Sequence, residues 1–208
     1  MATKKAATAA KTETQAVEIT LPGLVIKTAI IELIGDSPLI CHAWSKKAKE
    51  QMLAKQMKQA KQAREAKDPE QDYKDSLYHL PDGSGYGFPS IAFKASATDA
   101  CSHVSGLTKV EARGAFHING EMVPIFGEPT MREDMVRIGM GVADLRYRGE
   151  FKTWSTRFEI RYNARVLSLE QILNLFSTAG FAIGVGEWRP QKDGSYGMFH
   201  VATQGESA

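Results

Sequence analysis

The residues best suited to chemistry gather near the end of the 208-residue chain. Gly184, Gly186, Gly194 and Gly197 bracket Trp188, Arg189, Lys192 and Tyr196 within one short stretch. Glycine permits left-handed backbone and close approach by a ligand. Arginine and lysine suit phosphate oxygens, and aromatic rings offer stacking faces for bases. The combination points to a nucleic-acid strand. The competing reading is a twisted hairpin whose glycines relieve strain and whose Trp188 packs inside. No Gly-Lys-Ser/Thr occurs, and no G-x-G-x-x-G opens a helix after a strand, so neither a triphosphate loop nor a dinucleotide fingerprint is present.

The histidines are His42, His79, His103, His117 and His200. Cys41-His42 and Cys101-x-His103 lack the paired C-x-x-C and H-x-x-x-H spacings of a zinc site, so two buried thiols are expected, with no metal and no cofactor. His42 follows the first predicted strand. It is the candidate general base if the chain cleaves RNA, with Tyr78 or Tyr86 as the second group. No Gly-x-Ser-x-Gly is present. Glu128 and Glu133-Asp134 have no partner by spacing, and Asp134 with Asp144 is a conceivable metal-ligand pair that no motif supports.

The net charge is only +2, which taken alone argues against a nucleic-acid partner, but it is unevenly spread. Residues 46–67 hold eight basic side chains against two acidic ones, and residues 137–165 hold seven against three. The first segment has no Gly, Pro or β-branched residue, which predicts a helical arm with a thin apolar face (Trp44, Ala48, Met52 or Leu53, Met57, Ala60). Lys55, Lys58, Lys61 and Arg64 are its candidate phosphate contacts; the bland alternative is a solvated arm or one that docks an acidic partner. In the second segment Arg146 and Arg148 precede a strand on which Arg157 and Arg161 share a face, a track suited to a single-stranded backbone. Trp154, on the opposite face, is expected in the core.

These residues need a scaffold. Residues 24–34 read as a central strand, and 46–67 as the basic helix, followed by a Gly/Pro-rich linker over 80–89. Residues 89–106 read as a helix opened by Pro89 or Ser90 and closed by Gly106. Residues 110–118 and 121–126 flank Asn119-Gly120 and predict a hairpin. No periodicity assigns 128–150. Residues 153–163 alternate as a strand. Residues 168–180 form a helix with Ser168 as N-cap, Gln171 completing a capping box and Gly180 as C-cap. Residues 181–188 and 196–202 read as a strand pair. Without the insertions the order is βαββαβ: an α+β, ferredoxin-like (RRM-like) antiparallel sheet with helices on one face and a basic helical insertion after the first strand. The expected organisation is a flexible tail over 1–16, one domain over 17–202 with an insertion at 44–80, and a second tail over 203–208.

The glycine-rich stretch after a helix resembles the C-terminal loop, G-x-G-x(n)-G-x-G-x-apolar, of the ferredoxin-like RAMP superfamily, the RNA-binding proteins of CRISPR effector complexes. Residues 31–43, with a small-polar and proline break, resemble that superfamily's first strand. Residues 88–101 resemble its Pro-x-x-x-apolar-Lys entry to the first helix. A helical insertion between first strand and first helix is similar to that of the backbone subunits that polymerise along guide RNA. The resemblance implies RNA or backbone contacts for Ser90, Lys94, Gly184, Gly186, Gly194 and Gly197. It departs from the pattern where a polar Arg-Pro-Gln-Lys-Asp stretch splits the loop, and the RNA-recognition-motif octapeptide is missing from 153–163.

Together these readings predict a non-catalytic binder of single-stranded nucleic acid that self-associates along the strand, RNA being favoured over DNA by the resemblance. Two cysteines, no secretory h-region and no apolar run long enough to span a membrane predict a cytoplasmic protein. The compact size suggests a phage or mobile-element gene. The rivals are an endoribonuclease using His42 and a structural or protein-interaction module with a basic docking arm.

Overall fold

The computed structural model describes residues 22–59, 66–138, 141–203 and 205–206. The chain runs β1 (Ile26–Gly35), β2 (Leu39–Ile40), α1 (Lys46–Gln56), α2 (Pro69–Ser76), β3 (Gly87–Pro89), α3 (Ser90–Ala100), α4 (Lys109–Ala115), β4 (Phe116–Ile118), β5 (Met122–Pro124), β6 (Pro129–Ile138), β7 (Val142–Phe151), β8 (Ser155–Asn163), α5 (Leu169–Ala182) and β9 (Phe199–Val201). The main sheet is ordered β4-β8-β1-β9, every pair antiparallel. With the two helices between them these strands read β1-α3-β4-β8-α5-β9. Within the sheet the second, third, first and fourth strands lie side by side, which is the ferredoxin-like arrangement. Two smaller sheets, β2-β7-β6 and β3-β5, elaborate it.

Alternation along β1 and β8 separates two faces. Ile31, Leu33, Phe158 and Ile160 turn inward against Phe93 and Ala97 of α3 and Ile172, Phe176 and Ala179 of α5. Phe93 lies 5.7 Å from Phe158 and Phe158 5.9 Å from Phe176 between ring centroids, so one aromatic seam joins both helices to the sheet. Each large side chain buried here contributes about 1.5–3 kcal/mol. Trp154 is buried as expected: its indole N–H donates to the Ser37 carbonyl at 2.8 Å, and its ring crosses Gly35 where any Cβ would collide. Among the described residues no helix covers the other face, where Ile30 is 61% exposed beside Arg157 and Arg161.

Several local expectations are corrected. Residues 109–115 are helical, because Thr108 and Glu111 form a capping box ahead of good helix formers. The Asn119-Gly120 turn therefore joins strands of different sheets: β4 pairs with β8, and β5 with β3. The basic helix stops at Gln56, and Lys58 takes a left-handed backbone (φ 53°). The expected helix over 89–106 ends at Ala100 and passes into one 3-10 turn, Cys101–His103. Ser168 and Gln171 do form their capping box, but α5 continues through Gly180 to Ala182. The predicted strand pair over 181–202 is instead a folded loop, of which only β9 joins a sheet. Residues 129–138 and 142–151 pair as the long antiparallel strands β6 and β7, with Arg132 opposite Arg148 and Asp134 opposite Arg146.

Candidate nucleic-acid interface

The open face of the main sheet and its β4 edge bring together residues from three parts of the sequence. Arg157 and Arg161 project from β8 on the uncovered side. Arg161 stands opposite His117 of β4. Lys94, on α3, reaches round the edge so that its Nζ lies 2.9 Å from His117 Nδ1 and 6.0 Å from the Phe116 ring centroid. Among the described residues, Lys94, His117, Arg157 and Arg161 form no ion pair with a carboxylate. Glu32 stands opposite Arg157, and Glu159 accepts a hydrogen bond from the Asn119 side chain, so the face is mixed in charge away from the edge. Burial lowers the Lys94 pKa. Burial, reinforced by the Lys94 and Arg161 charges, also lowers that of His117. Such a set of donors can hold a phosphodiester without first breaking an internal salt bridge.

Ser90 belongs to the frame of this edge. Its hydroxyl donates to the Gly120 carbonyl at 2.6 Å and its N–H to Glu121, which fixes the start of α3 against the β4-β5 turn. His117 is the participant that sequence reasoning missed. Its partners Lys94 and Arg161 are distant in the chain: the β4-β8 register brings Arg161 opposite it, and the packing of α3 brings Lys94.

The glycine stretch folds upon itself. A Cβ on Gly194 would lie 1.7 Å from the Trp188 carbonyl oxygen, and one on Gly197 1.8 Å from that of Val185. Gly184 and Gly186 have left-handed φ values of 69° and 79°, and a Cβ on Gly186 would press on the Ile40 carbonyl at 2.7 Å. Gly186, Gly194 and Gly197 thus make room for the chain's own backbone, and Gly184 for the Pro190 ring and the Arg189 side chain. Trp188 is 44% exposed and left-handed, so it does not join the core. Arg189 folds back, donating to the Gly186 carbonyl and to Gln191. Lys192 sits in the adjoining 3-10 turn, Pro190–Lys192, and is exposed.

Beneath that loop lies a buried ion-pair network. Arg132 bonds Asp134 at 2.8 Å and Glu150 at 2.7 Å, and its guanidinium stacks 4.8 Å from the Tyr196 ring centroid. Arg148 donates to Asp134 at 3.1 Å and is only 4% exposed. Arg148 is thereby corrected from a surface contact to an internal support of the hairpin. Arg146, 3.8 Å from Asp144, faces a groove between α1, α2 and β7 that Lys55 and Trp44 also line, together with Asp72 and Asp75. Lys58 is exposed beyond α1; Lys61 and Arg64 lie outside the described residues.

His42 lies apart from the β4 edge. Its Nδ1 is 3.0 Å from Glu187 Oε1, an interaction that holds the Glu187 carboxyl below its ordinary range and ties the end of β2 to the glycine loop. The Tyr78 hydroxyl donates to the His42 backbone carbonyl, and Tyr86 packs against Phe151 and His79. Among the described residues no three His, Cys, Asp or Glu side chains gather as metal ligands. No helix among them is long and apolar enough to cross a membrane.

No protein-family model matches the chain, and no curated protein matches its sequence. Among solved structures it is similar to the crystal structure of Cmr6 from Pyrococcus furiosus, at 9% identity and a TM-score of 0.46, over 86% of this chain and 100% of that one. A likeness that low carries no argument by itself. It is the 2-3-1-4 succession of strands, with both helices on one side, that makes this chain an elaborated ferredoxin-like α+β protein.

Proposed function

We propose that the chain binds single-stranded nucleic acid without cleaving it, RNA in preference to DNA. The strand would cross the open sheet face, with Arg157 and Arg161 on phosphates and Lys94 and His117 gripping the backbone at the β4 edge. The observation that carries this reading is the Lys94-His117-Arg161 cluster, three cationic or donor side chains that pair with no carboxylate among the described residues. The basic arm with Lys55, Lys58, Lys61 and Arg64 adds non-specific attraction from one side. Arg146 contributes beside Lys55 in the groove between α1, α2 and β7, and Arg189, Lys192 and the loop residues Gly184, Gly186, Gly194 and Gly197 contribute where the strand passes the C-terminal loop. Ser90 acts by holding α3 in place. Copies associate along the strand; the exposed Met52 and Leu53 of α1 and Met57 just beyond it supply apolar surface for that contact.

A salt titration with a labelled oligo-uridylate tests the reading. Binding to several phosphates makes log K fall linearly with log salt, each contact on a single strand contributing about 0.7 to the slope. Replacing Lys94 and Arg161 together by alanine is expected to reduce that slope by about 1.4. No binding at low salt overturns the proposal, and an unchanged slope in the double variant removes this edge from it.

A further inference from the structure

The Lys94-His117 contact has a property that ordinary phosphate-binding pairs lack. A lysine ammonium has donors only, so the 2.9 Å approach to Nδ1 requires that His117 nitrogen to be unprotonated and accepting. The free site therefore holds a neutral imidazole beside two cations. An anion seated between Lys94, His117 and Arg161 reverses that arrangement. Lys94 turns its protons to the anion, Nδ1 loses its donor, and the negative charge favours imidazolium. The balance is one proton taken from solvent onto His117 Nδ1 for each anion bound, with no bond to the anion made or broken.

We propose that this cluster takes up a phosphodiester together with one proton, so that strand binding at the β4 edge strengthens as pH falls through the neutral range. The inference rests on the nucleic-acid reading above and adds to it a regulated ligand site at His117. The surroundings of the imidazole support the direction. From α3 it faces Lys94, and from β8 Arg161. The nearby β8 carboxylate, Glu159, is engaged by Asn119, and the α4 carboxylate, Glu111, is closed into its capping box with Thr108. The free imidazole is accordingly shifted towards the neutral form, chiefly by burial and then by the two cations.

The sign follows from linkage. A group whose pKa is low in the free protein and higher in the complex releases a proton on dissociation. Affinity then falls as pH rises between the two values and is flat outside them. One such group allows at most about tenfold per pH unit.

Affinity for labelled oligo-uridylate is measured from about pH 8 to about pH 6 at constant salt, the window in which an imidazole changes charge. Uracil does not titrate there. The wild type is expected to bind about three- to tenfold more tightly at the acid end, and His117→Gln to lose that dependence. In parallel, the His117 ring signal followed by NMR is expected to titrate at higher pH with oligo-uridylate than without. If no strand binds at any pH, the parent reading fails and this one with it. If the strand binds but the pH dependence persists in His117→Gln, or the His117 titration does not move, proton uptake at His117 is refuted and the binding function stands.

Discussion

Two glycine-to-alanine substitutions in helices should change stability in opposite directions. In α4, Gly114 is exposed, and nothing lies within 4 Å of where its Cβ would be. Alanine there removes unfolded-state entropy and improves helix propensity, a gain of about 0.5–1 kcal/mol. Gly180 also has helical backbone and in isolation would gain about 1 kcal/mol from the same change. Its Cβ, however, would lie 1.6 Å from the Phe199 carbonyl oxygen and 2.5 Å from the carbonyl carbon. Those atoms belong to β9, which is hydrogen-bonded to β1 at Gly35 and cannot swing aside as a side-chain tip would. Overpacking costs about 1–3 kcal/mol where side chains can adjust, and at least the upper end is expected against backbone. The net for Gly180→Ala is a loss of about 2 kcal/mol. At about 2–4 °C per kcal/mol for a chain of this size, its Tm should fall by about 4–8 °C while that of Gly114→Ala rises by about 1–4 °C. Thermal and urea unfolding followed by circular dichroism measure both. A Gly180→Ala protein as stable as the wild type would refute the close α5-β9 contact and return Gly180 to a helix end.

Three further outcomes are expected. Asp134→Ala leaves Arg148 buried without its partner and should cost about 3–5 kcal/mol in urea unfolding; a loss below about 1 kcal/mol would mean that the guanidinium escapes to solvent. The Cys41 thiol, pushed up to about 12 by burial, should resist Ellman's reagent at neutral pH until the protein unfolds, so rapid labelling of both cysteines in the native state would contradict its burial. Asp99 is held below the usual carboxylate range first by its hydrogen bond from Lys109 and also by Gln191. Its folded pKa is depressed, so its contribution is complete above the unfolded value and is lost as pH falls through the folded one. The urea midpoint should decline below about pH 4, and less steeply in Lys109→Met; identical acid profiles for the two proteins would exclude that bond as a source.

What could be read before folding, and what could not, divides along physical lines. α5 was legible because its capping box and 3.6-residue apolar stripe are local signals. The two faces of β8 were legible because one is core and one is open. The β6-β7 hairpin was not, because its inward side chains are Arg132, Asp134, Arg148 and Glu150, an ion-pair network that hides the usual alternation. α4 reads as strand in the sequence because Val110 and Phe116 outweigh the Thr108-Glu111 cap. The glycine loop resembles a ligand-binding element in composition, yet its missing side chains accommodate neighbouring carbonyls, a use of glycine that composition cannot distinguish. At the candidate site, Lys94 and Arg161 carry separate sequence signals, whereas His117 gains its place only because β4 pairs with β8 rather than with β5.

The position of β1 has a consequence for the order of events at the ribosome. Its neighbours in the sheet, β8 and β9, both come from the last third of the chain, with Ile31 opposite Phe158 and Gly35 opposite Phe199. A nascent chain therefore carries the apolar segment Ala29–Ile34 without its partners until most of the protein has been made. The β6-β7 pair and α3 can form meanwhile, but the sheet centre closes late, across long loops whose entropy must be overcome together. Synthesis that pauses before β8 emerges would leave an unpaired strand exposed to its own kind, and that pause is where this fold is most vulnerable to aggregation.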